Sequence, residues 1–241
     1  MTDTLLRETL DRIAGSGRKV KLWLRDDDAV EPTPALDRLL DLTGAHGVPV
    51  TLAVIPEQTG TALAARLDAA PHALVAVHGW SHRNYAPAGE KKQELGAHRG
   101  EDVVLAELKA GFAKLESLHA PRFNAMLVPP WNRIAASLPP RLGALGFTAL
   151  STFGKEKEGA SIPLINTHVD VMDWHGTRGG RPAADLFAEL AGWIARPDAP
   201  PQIGVLTHHL VHDQTVWAFL ESLFTLTADH PACAWVKPGA A

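Results

Sequence analysis

The chain has 241 residues, of which 46% are hydrophobic and 21% charged, and this composition predicts one globular α/β domain spanning 1–241. Its formal net charge of −4, without a basic tract, argues against nucleic acid and anionic membranes as partners. Cys233 is the only cysteine, which excludes an internal disulfide and a cysteine-based zinc cluster. The lack of an apolar leader and of any membrane-length apolar run predicts a cytoplasmic protein.

The first half of the chain alternates amphipathic helical stretches with short β-branched runs. Apolar residues at helical spacing predict a first helix that ends at Gly15. The same spacing predicts helices over 35–45, 61–69 and 103–119. Strands are predicted over 20–24, 48–55, 73–77 and 124–128.

The second half repeats this alternation, with strands predicted over 147–152, 164–172, 202–207 and 232–236. Helices are predicted over 139–145, 183–195 and 215–228. About eight strands separated by helices imply right-handed crossovers and a parallel sheet. Because no glycine-rich nucleotide-binding turn is present, the pattern favours a (β/α) barrel over a doubly wound sheet.

Polar clusters follow five of the predicted strands at their carboxyl ends. A parallel barrel gathers its active site from these ends, whereas polar residues without a function would fall equally at both ends. The placement therefore predicts an active site. The clusters are RDDDA at 25–29, HGWSH at 78–82, VPPWNR at 128–133, DVMDWHG at 170–176 and LTHH at 206–209.

The HGWSH cluster has the spacing of a metal site, because two histidines four residues apart can direct their imidazoles at one ion. Two loop histidines without a metal are the alternative. Strand alternation puts Asp28 on the inward face, where it can be a third ligand to His78 and His82, with Asp27 beside it as a base. Two histidines and one carboxylate with an open position are typical of a catalytic zinc or other divalent-metal site.

Other side chains at the strand ends have two interpretations each. His208 can protonate a leaving amine or alcohol, or it can cap the helix that begins near Asp213. Trp131 and Trp174 can line a substrate pocket or stack on a sugar, or they can serve in ordinary packing.

The ordered set of these clusters resembles the five motifs of the polysaccharide deacetylase superfamily, the NodB homology domain of carbohydrate esterase family 4. The resemblance covers about Leu24 to His208. It implies a deformed (β/α) TIM-like barrel of seven to eight parallel strands. It also implies a divalent metal, with zinc as the expected ion.

Residue by residue, the resemblance implies a base, a metal site and a general acid. A register one residue earlier, with Asp26 as base and Asp27 as ligand, stays open. The expected roles are Asp27 as base, Asp28, His78 and His82 as metal ligands, His208 as general acid, Asp173 as its support, and Trp131, Trp174, Pro130 and Leu206 as substrate contacts.

The chain departs from the family where the third motif begins, because Val128 occupies the position of an arginine that contacts the base. Arg25 or Arg133 can supply a replacement guanidinium, and Arg133 is favoured. Ala29 replaces a family glycine, so the chain resembles a divergent branch.

The expected activity is therefore removal of an acyl group, typically acetyl, from an N-acyl sugar, an oligosaccharide or a related small amide. Two alternatives remain: a non-catalytic carbohydrate- or metabolite-binding module on the same fold, and a metallo-amidase that cleaves a non-sugar C–N bond. The polar segment 83–100 is expected to shape substrate access. Its Glu94 is either a helix-face residue or a pocket group.

Overall fold

The structure, a computed structural model, describes residues 3–239. Within that range it contains seven α-helices and eight β-strands. The helices are α1 (Thr4–Gly15), α2 (Pro34–Ala45), α3 (Thr61–Asp68), α4 (Glu101–His119), α5 (Pro139–Leu142), α6 (Ala183–Ala195) and α7 (Gln214–Thr227). The strands are β1 (Val20–Ala29), β2 (Val50–Val54), β3 (Ala73–His78), β4 (Phe123–Val128), β5 (Ala149–Leu150), β6 (Thr167–Asp170), β7 (Ile203–Thr207) and β8 (Cys233–Trp235).

The chain divides into two compact units, each built from more than one stretch of sequence. The first unit comprises the residues up to Asp26, Thr33–Val50 and the residues from Thr167 onward. Its strands lie in the order β8, β1, β7, β6, and β1 pairs in parallel with both β7 and β8. Because Asp26 is in register with Thr207, the carboxyl ends of β1 and β7 meet at one edge of this sheet.

The second unit comprises Asp27–Pro32 and Thr51–Asn166. Its strands lie in the order β2, β3, β4, β5, and the pairs β3–β4 and β4–β5 are parallel. All five residues of β2 are buried, and His78 at the end of β3 is in register with Val128 at the end of β4. The strand ends that carry HGWSH and VPPWNR are therefore neighbours.

Two helices, α2 and α7, begin at a side chain that caps their first turn. The Thr33 side chain accepts a hydrogen bond from the backbone N–H of Leu36, and Pro34 follows it in the first turn of α2. The Asp213 carboxylate accepts from the N–H of Val216 at the start of α7 in the same way. None of the helices in residues 3–239 is long and apolar enough to cross a bilayer.

Two sequence-based expectations need correction. The first strand was expected to end at Leu24, but β1 continues through the three acids to Ala29, because Arg25 and Asp26 still pair with β7. The segment 83–100 contains no helix, so Glu94 does not lie on a helix face. The other predicted strands and helices are found within a few residues of their expected bounds, whereas the expectation of one catalytic domain over 1–241 stays a prediction.

Candidate metal centre

Asp28, His78 and His82 come together in the second unit. The Asp28 Oδ1 lies 3.1 Å from Nε2 of His78 and 3.2 Å from Nε2 of His82. One ligand atom from each of the three residues lies within 4.8 Å of the other two. Two imidazole nitrogens and a carboxylate oxygen suit zinc and similar divalent ions, so the residues present fit such an ion.

The second ring nitrogen of His78 fixes the orientation of its imidazole. Its Nδ1 donates to the carbonyl oxygen of Val128 at 2.9 Å, which directs Nε2 at Asp28. A histidine ligand held by a backbone carbonyl in this way is the usual arrangement around protein-bound metals. Val128 thus takes part in the site through its backbone, whatever its side chain.

The backbone at this site adopts left-handed conformations that residues other than glycine generally avoid. Asp28 has a φ of 72° and His82 a φ of 57°, and the adjoining Trp131 and Asn132 have φ of 54° and 55°. Such conformations cost on the order of 1 kcal/mol each and tend to gather at functional sites. Only one other non-glycine residue in the range 3–239 has a positive φ, so these conformations are concentrated at this site.

The two histidines experience opposite electrostatic effects. Burial lowers the pKa of His78, but the charge of Asp27 and the hydrogen bond and charge of Asp28 outweigh it, so the pKa is raised. Burial and the neighbouring His78 lower the pKa of His82, although the charges of Asp28 and Glu94 act in the other direction. Because both partners of His78 are acceptors, its Nε2 carries a proton that a bound cation would replace.

Asp27 lies beside this centre and is buried, with 3% of its surface exposed. The positive φ of Asp28 breaks the regular strand geometry, so the alternation argument that placed Asp28 on the inward face does not hold at this residue. The group that can hold a metal nevertheless contains Asp28, which favours the later of the two registers.

The VPPWNR segment places an aromatic ring against a histidine of the candidate metal centre. The ring centroid of Trp131 lies 4.4 Å from that of His82, and Pro130 is buried. The guanidinium of Arg133 donates to the carbonyl oxygen of Lys92 at 3.0 Å. Arg25, the other arginine considered for the position lost at Val128, is completely buried in β1.

A second cluster of polar side chains lies in the first unit, around His208. The Trp174 ring contacts the His208 imidazole edge to face, with centroids 4.8 Å apart. The His208 backbone N–H donates to Nε2 of His212 at 3.1 Å. Burial lowers the pKa of His212 to about 4, which keeps its ring neutral and able to accept that bond.

Asp26 anchors the segment that carries His208. Its carboxylate accepts hydrogen bonds from the hydroxyl of Thr207 at 2.7 Å, from the backbone N–H of His209 at 2.9 Å and from the ring Nδ1 of His209. Burial alone would raise the pKa of Asp26, but the charge and hydrogen bond of His209 lower it below its usual value. Sequence reasoning did not identify His209 as the partner of Asp26.

The two acids of the DVMDWHG segment have different partners, and the role of Asp173 as a support for His208 stays a prediction. Asp173 is half-buried, and its carboxylate accepts from the N–H groups of Gly176 and Thr177. Asp170 accepts from the Trp174 indole N–H at 2.9 Å, so it orients the ring that contacts His208. Leu206 is completely buried (0% exposed), so a contact with substrate would require a change in structure.

Known proteins resemble this chain in structure but not detectably in sequence. No family model and no curated protein matches the sequence. A provisionally assigned polysaccharide deacetylase from Mycobacterium smegmatis is similar in structure, with a TM-score of 0.63 and 18% identity over 91% of this chain and 87% of that one. The peptidoglycan deacetylase PdaC from Bacillus subtilis gives 0.55 and 15% over 91% and 87%.

This chain has the NodB-like (β/α) barrel fold of those deacetylases. The fold class expected from the sequence is thereby confirmed. The same fold includes a CE4-family pseudoenzyme from Bacillus anthracis, with a TM-score of 0.56 and 15% identity over 86% of this chain and 60% of that one. Because identities are this low, the likeness shows the fold, and the activity must be argued from the residues.

Proposed function

We propose that this chain is a metal-dependent deacetylase that removes an acyl group from an N-acyl sugar or a related small amide. The observation that carries the proposal is the convergence of Asp28, His78 and His82, with the His78 ring fixed by the Val128 carbonyl. The NodB-like fold supports it, since similar structures include proteins named as deacetylases of polysaccharide and peptidoglycan.

Asp28, His78 and His82 are the residues that would hold the ion, and zinc is the expected metal. A divalent ion held there would supply Lewis acidity, by polarising an acyl carbonyl and making water more acidic. Hydrolysis also needs two proton transfers, for which two separate side chains are proposed: one removes a proton from the attacking water and another protonates the leaving nitrogen.

Asp27 is the proposed base. It is buried, directly precedes Asp28 and lies near enough to His78 for its charge to raise the pKa of that imidazole. An ionised carboxylate is the form that can accept a proton. The identity of the arginine that supports this base, Arg25 or Arg133, stays a prediction.

His208 is the proposed proton donor to the leaving nitrogen. The motif that carries it supports this role, and so does the way its backbone and ring are held by His212 and Trp174. Trp174 is 40% exposed and Trp131 lies against His82, so both are proposed to contact the substrate. An aromatic face suits the apolar side of a sugar ring.

Asp27→Asn tests the assignment of the base. The variant keeps the three metal ligands but loses the proton acceptor, so we expect zinc to bind with near wild-type affinity while turnover falls by about 10²-fold or more. Zinc content is measured by elemental analysis, and turnover on N-acetyl sugars, acetyl esters and small amides. Hydrolysis at the wild-type rate by Asp27→Asn would show that the base is another residue.

A second candidate function is a carbohydrate-binding module without turnover. Val128, at the position of the family arginine, favours it, and a pseudoenzyme shares the fold. The zinc-loaded wild-type protein distinguishes the two functions. Binding of N-acetyl sugars without release of acetate or amine would establish the module, whereas release that depends on Asp27 would establish the deacetylase.

A further inference from the structure

Glu94 is a carboxylate buried next to the candidate metal centre, in the polar segment 83–100. It has no exposed surface (0%). Its Oε1 accepts from the backbone N–H of Ser81 at 2.6 Å and from the Ser81 hydroxyl at 2.9 Å, and its Oε2 accepts from the N–H of Trp80 at 3.2 Å. All three donors belong to residues 79–81, the ligand turn, which joins His78 to His82.

The first residue of the ligand turn leaves room for this carboxylate. Gly79 has a φ of +60°, and a Cβ added to it would lie 2.1 Å from the Glu94 Oε2 and 2.7 Å from Pro130. Glu94 therefore packs directly on the backbone that follows His78. Every residue between the two histidines either contacts the Glu94 carboxylate or donates to it.

The segment that carries Glu94 is itself firmly attached to the second unit. Leu95 forms a parallel bridge with Ile134 and accepts at its carbonyl from the N–H of Ala135 at 2.8 Å. Arg99 bonds both carboxylate oxygens of Glu107, at 2.9 and 2.8 Å, and its guanidinium lies 3.8 Å from the ring centroid of Tyr85. A two-bond arginine–carboxylate pair fixes geometry well, so Glu94 is presented on an ordered support.

We propose that Glu94 is a positioning residue for the metal centre: it holds the ligand turn in the conformation that directs both His78 and His82 at Asp28. The inference rests on the proposed function of these three residues as a metal site. Without the carboxylate, the backbone N–H groups of buried Ser81 and half-buried Trp80 lose their acceptor. The left-handed backbone of His82 then loses the turn that supports it. Residues that orient metal ligands typically contribute 10- to 100-fold in metal affinity.

Glu94→Gln tests this role with little change in shape. The NH₂ group of its amide would present hydrogens to groups that already donate, so it cannot replace the carboxylate as their acceptor. Glu90→Gln is the matched control, since Glu90 is an exposed carboxylate of the same segment. We expect the zinc Kd of Glu94→Gln, measured by competition with a chromophoric chelator, to rise at least about 10-fold. Glu90→Gln should match the wild type.

Two further measurements separate positioning from simple stabilisation. The visible absorption of the cobalt(II)-loaded protein reports ligand geometry and should change in Glu94→Gln. A residue that only stabilises the fold would lower the Tm of the metal-free protein and leave the zinc Kd unchanged. If Glu94→Gln does not fold, Ser81→Ala, which removes one of the three donors, should still weaken zinc binding by about 3-fold.

These measurements distinguish failure of the positioning role of Glu94 from failure of the proposed metal centre. Wild-type zinc affinity in both Glu94→Gln and Ser81→Ala would overturn the positioning role and leave the metal centre standing. Absence of zinc binding in the wild-type protein would overturn the metal centre and the role of Glu94 together. Weakened binding in Glu94→Gln with an unchanged Glu90→Gln would establish the role.

Discussion

Asp26, Asp27 and Asp28 are adjacent acids with different partners. Asp26 is bonded to His209 and Thr207 in the first unit. Asp28 contacts the two histidines of the candidate metal centre, and the charge of Asp27 acts on one of them. The charge and hydrogen bond of His209 favour the ionised form of Asp26.

Asp26→Asn should destabilise the protein strongly at neutral pH. The carboxylate is completely buried and accepts three hydrogen bonds, two of them from His209, so an amide would leave at least one donor facing its NH₂ group. Breaking a buried charge pair costs about 3–5 kcal/mol. We expect a loss of that size in the free energy of unfolding, measured by urea denaturation at pH 7.5.

Asp185→Asn is the control for this substitution, because Asp185 is an exposed acid in the first turn of α6. Its charge near a helix N-terminus is worth less than about 1 kcal/mol. If Asp26→Asn changed stability no more than Asp185→Asn, the pair with His209 would contribute nothing to the fold.

At the residue scale, the sequence predicted which side chains gather at the strand ends but not their backbone conformations or their hydrogen-bond partners. The spacing of His78 and His82 and the run of acids were sufficient to nominate the metal triad, which the structure brings together. The left-handed φ of Asp28 has no sequence signal, since aspartate is compatible with several conformations. Glu94 could not be assigned because its partners are mainly backbone N–H groups, which are common to every sequence.

At the scale of elements, hydrophobic periodicity predicted helices and strands well. The helix over 183–195 has the predicted bounds, and that over 103–119 begins two residues earlier, at Glu101. The predicted end of β1 was wrong because consecutive charged residues are not typical of a strand. Partner strands and buried polar partners override that preference once the fold has formed.

His119, the last residue of α4, should make the protein sensitive to acid. It is buried (1% exposed), and neither ring nitrogen has a hydrogen-bond partner among the described residues. Burial, with a smaller effect of Arg122, lowers its pKa from 6.5 to about 4. The pKa of His119 is lower in the folded than in the unfolded protein, so the unfolded chain takes up a proton first as the pH falls. The free energy of unfolding is therefore unaffected by this residue above pH 6.5 and decreases as the pH falls toward 4.

His119→Leu should therefore reduce the loss of stability between pH 6.5 and 4, and raise stability at pH 7.5 by about 1 kcal/mol through removal of unpaired buried polar atoms. Urea denaturation at pH 7.5 and pH 5 measures both effects. His175→Leu, at an exposed histidine, is the control and should leave the pH dependence unchanged. Equal acid sensitivity in His119→Leu and the wild type would contradict the assignment.

At the scale of the molecule, the candidate metal ligands are unevenly distributed. Asp28, His78 and His82 all belong to the second unit, whereas His208 and the Asp26–His209 pair belong to the first. Binding to the folded state alone adds about 2.7 kcal/mol when the free ligand is 100 times its Kd. Zinc should therefore stabilise the second unit directly.

Hydrogen exchange with and without zinc tests this distribution. Amides of β3 and of the ligand turn should exchange more slowly in zinc, because any opening that separates His78 from Asp28 must first release the ion. Amides of β7 should slow less, except where their exchange requires unfolding of the whole chain. Asp28→Ala, which lacks a ligand, is the control and should show no effect of zinc on either strand. Equal slowing of β3 and β7 in the wild type would contradict the expectation and show that the two units open in one cooperative step.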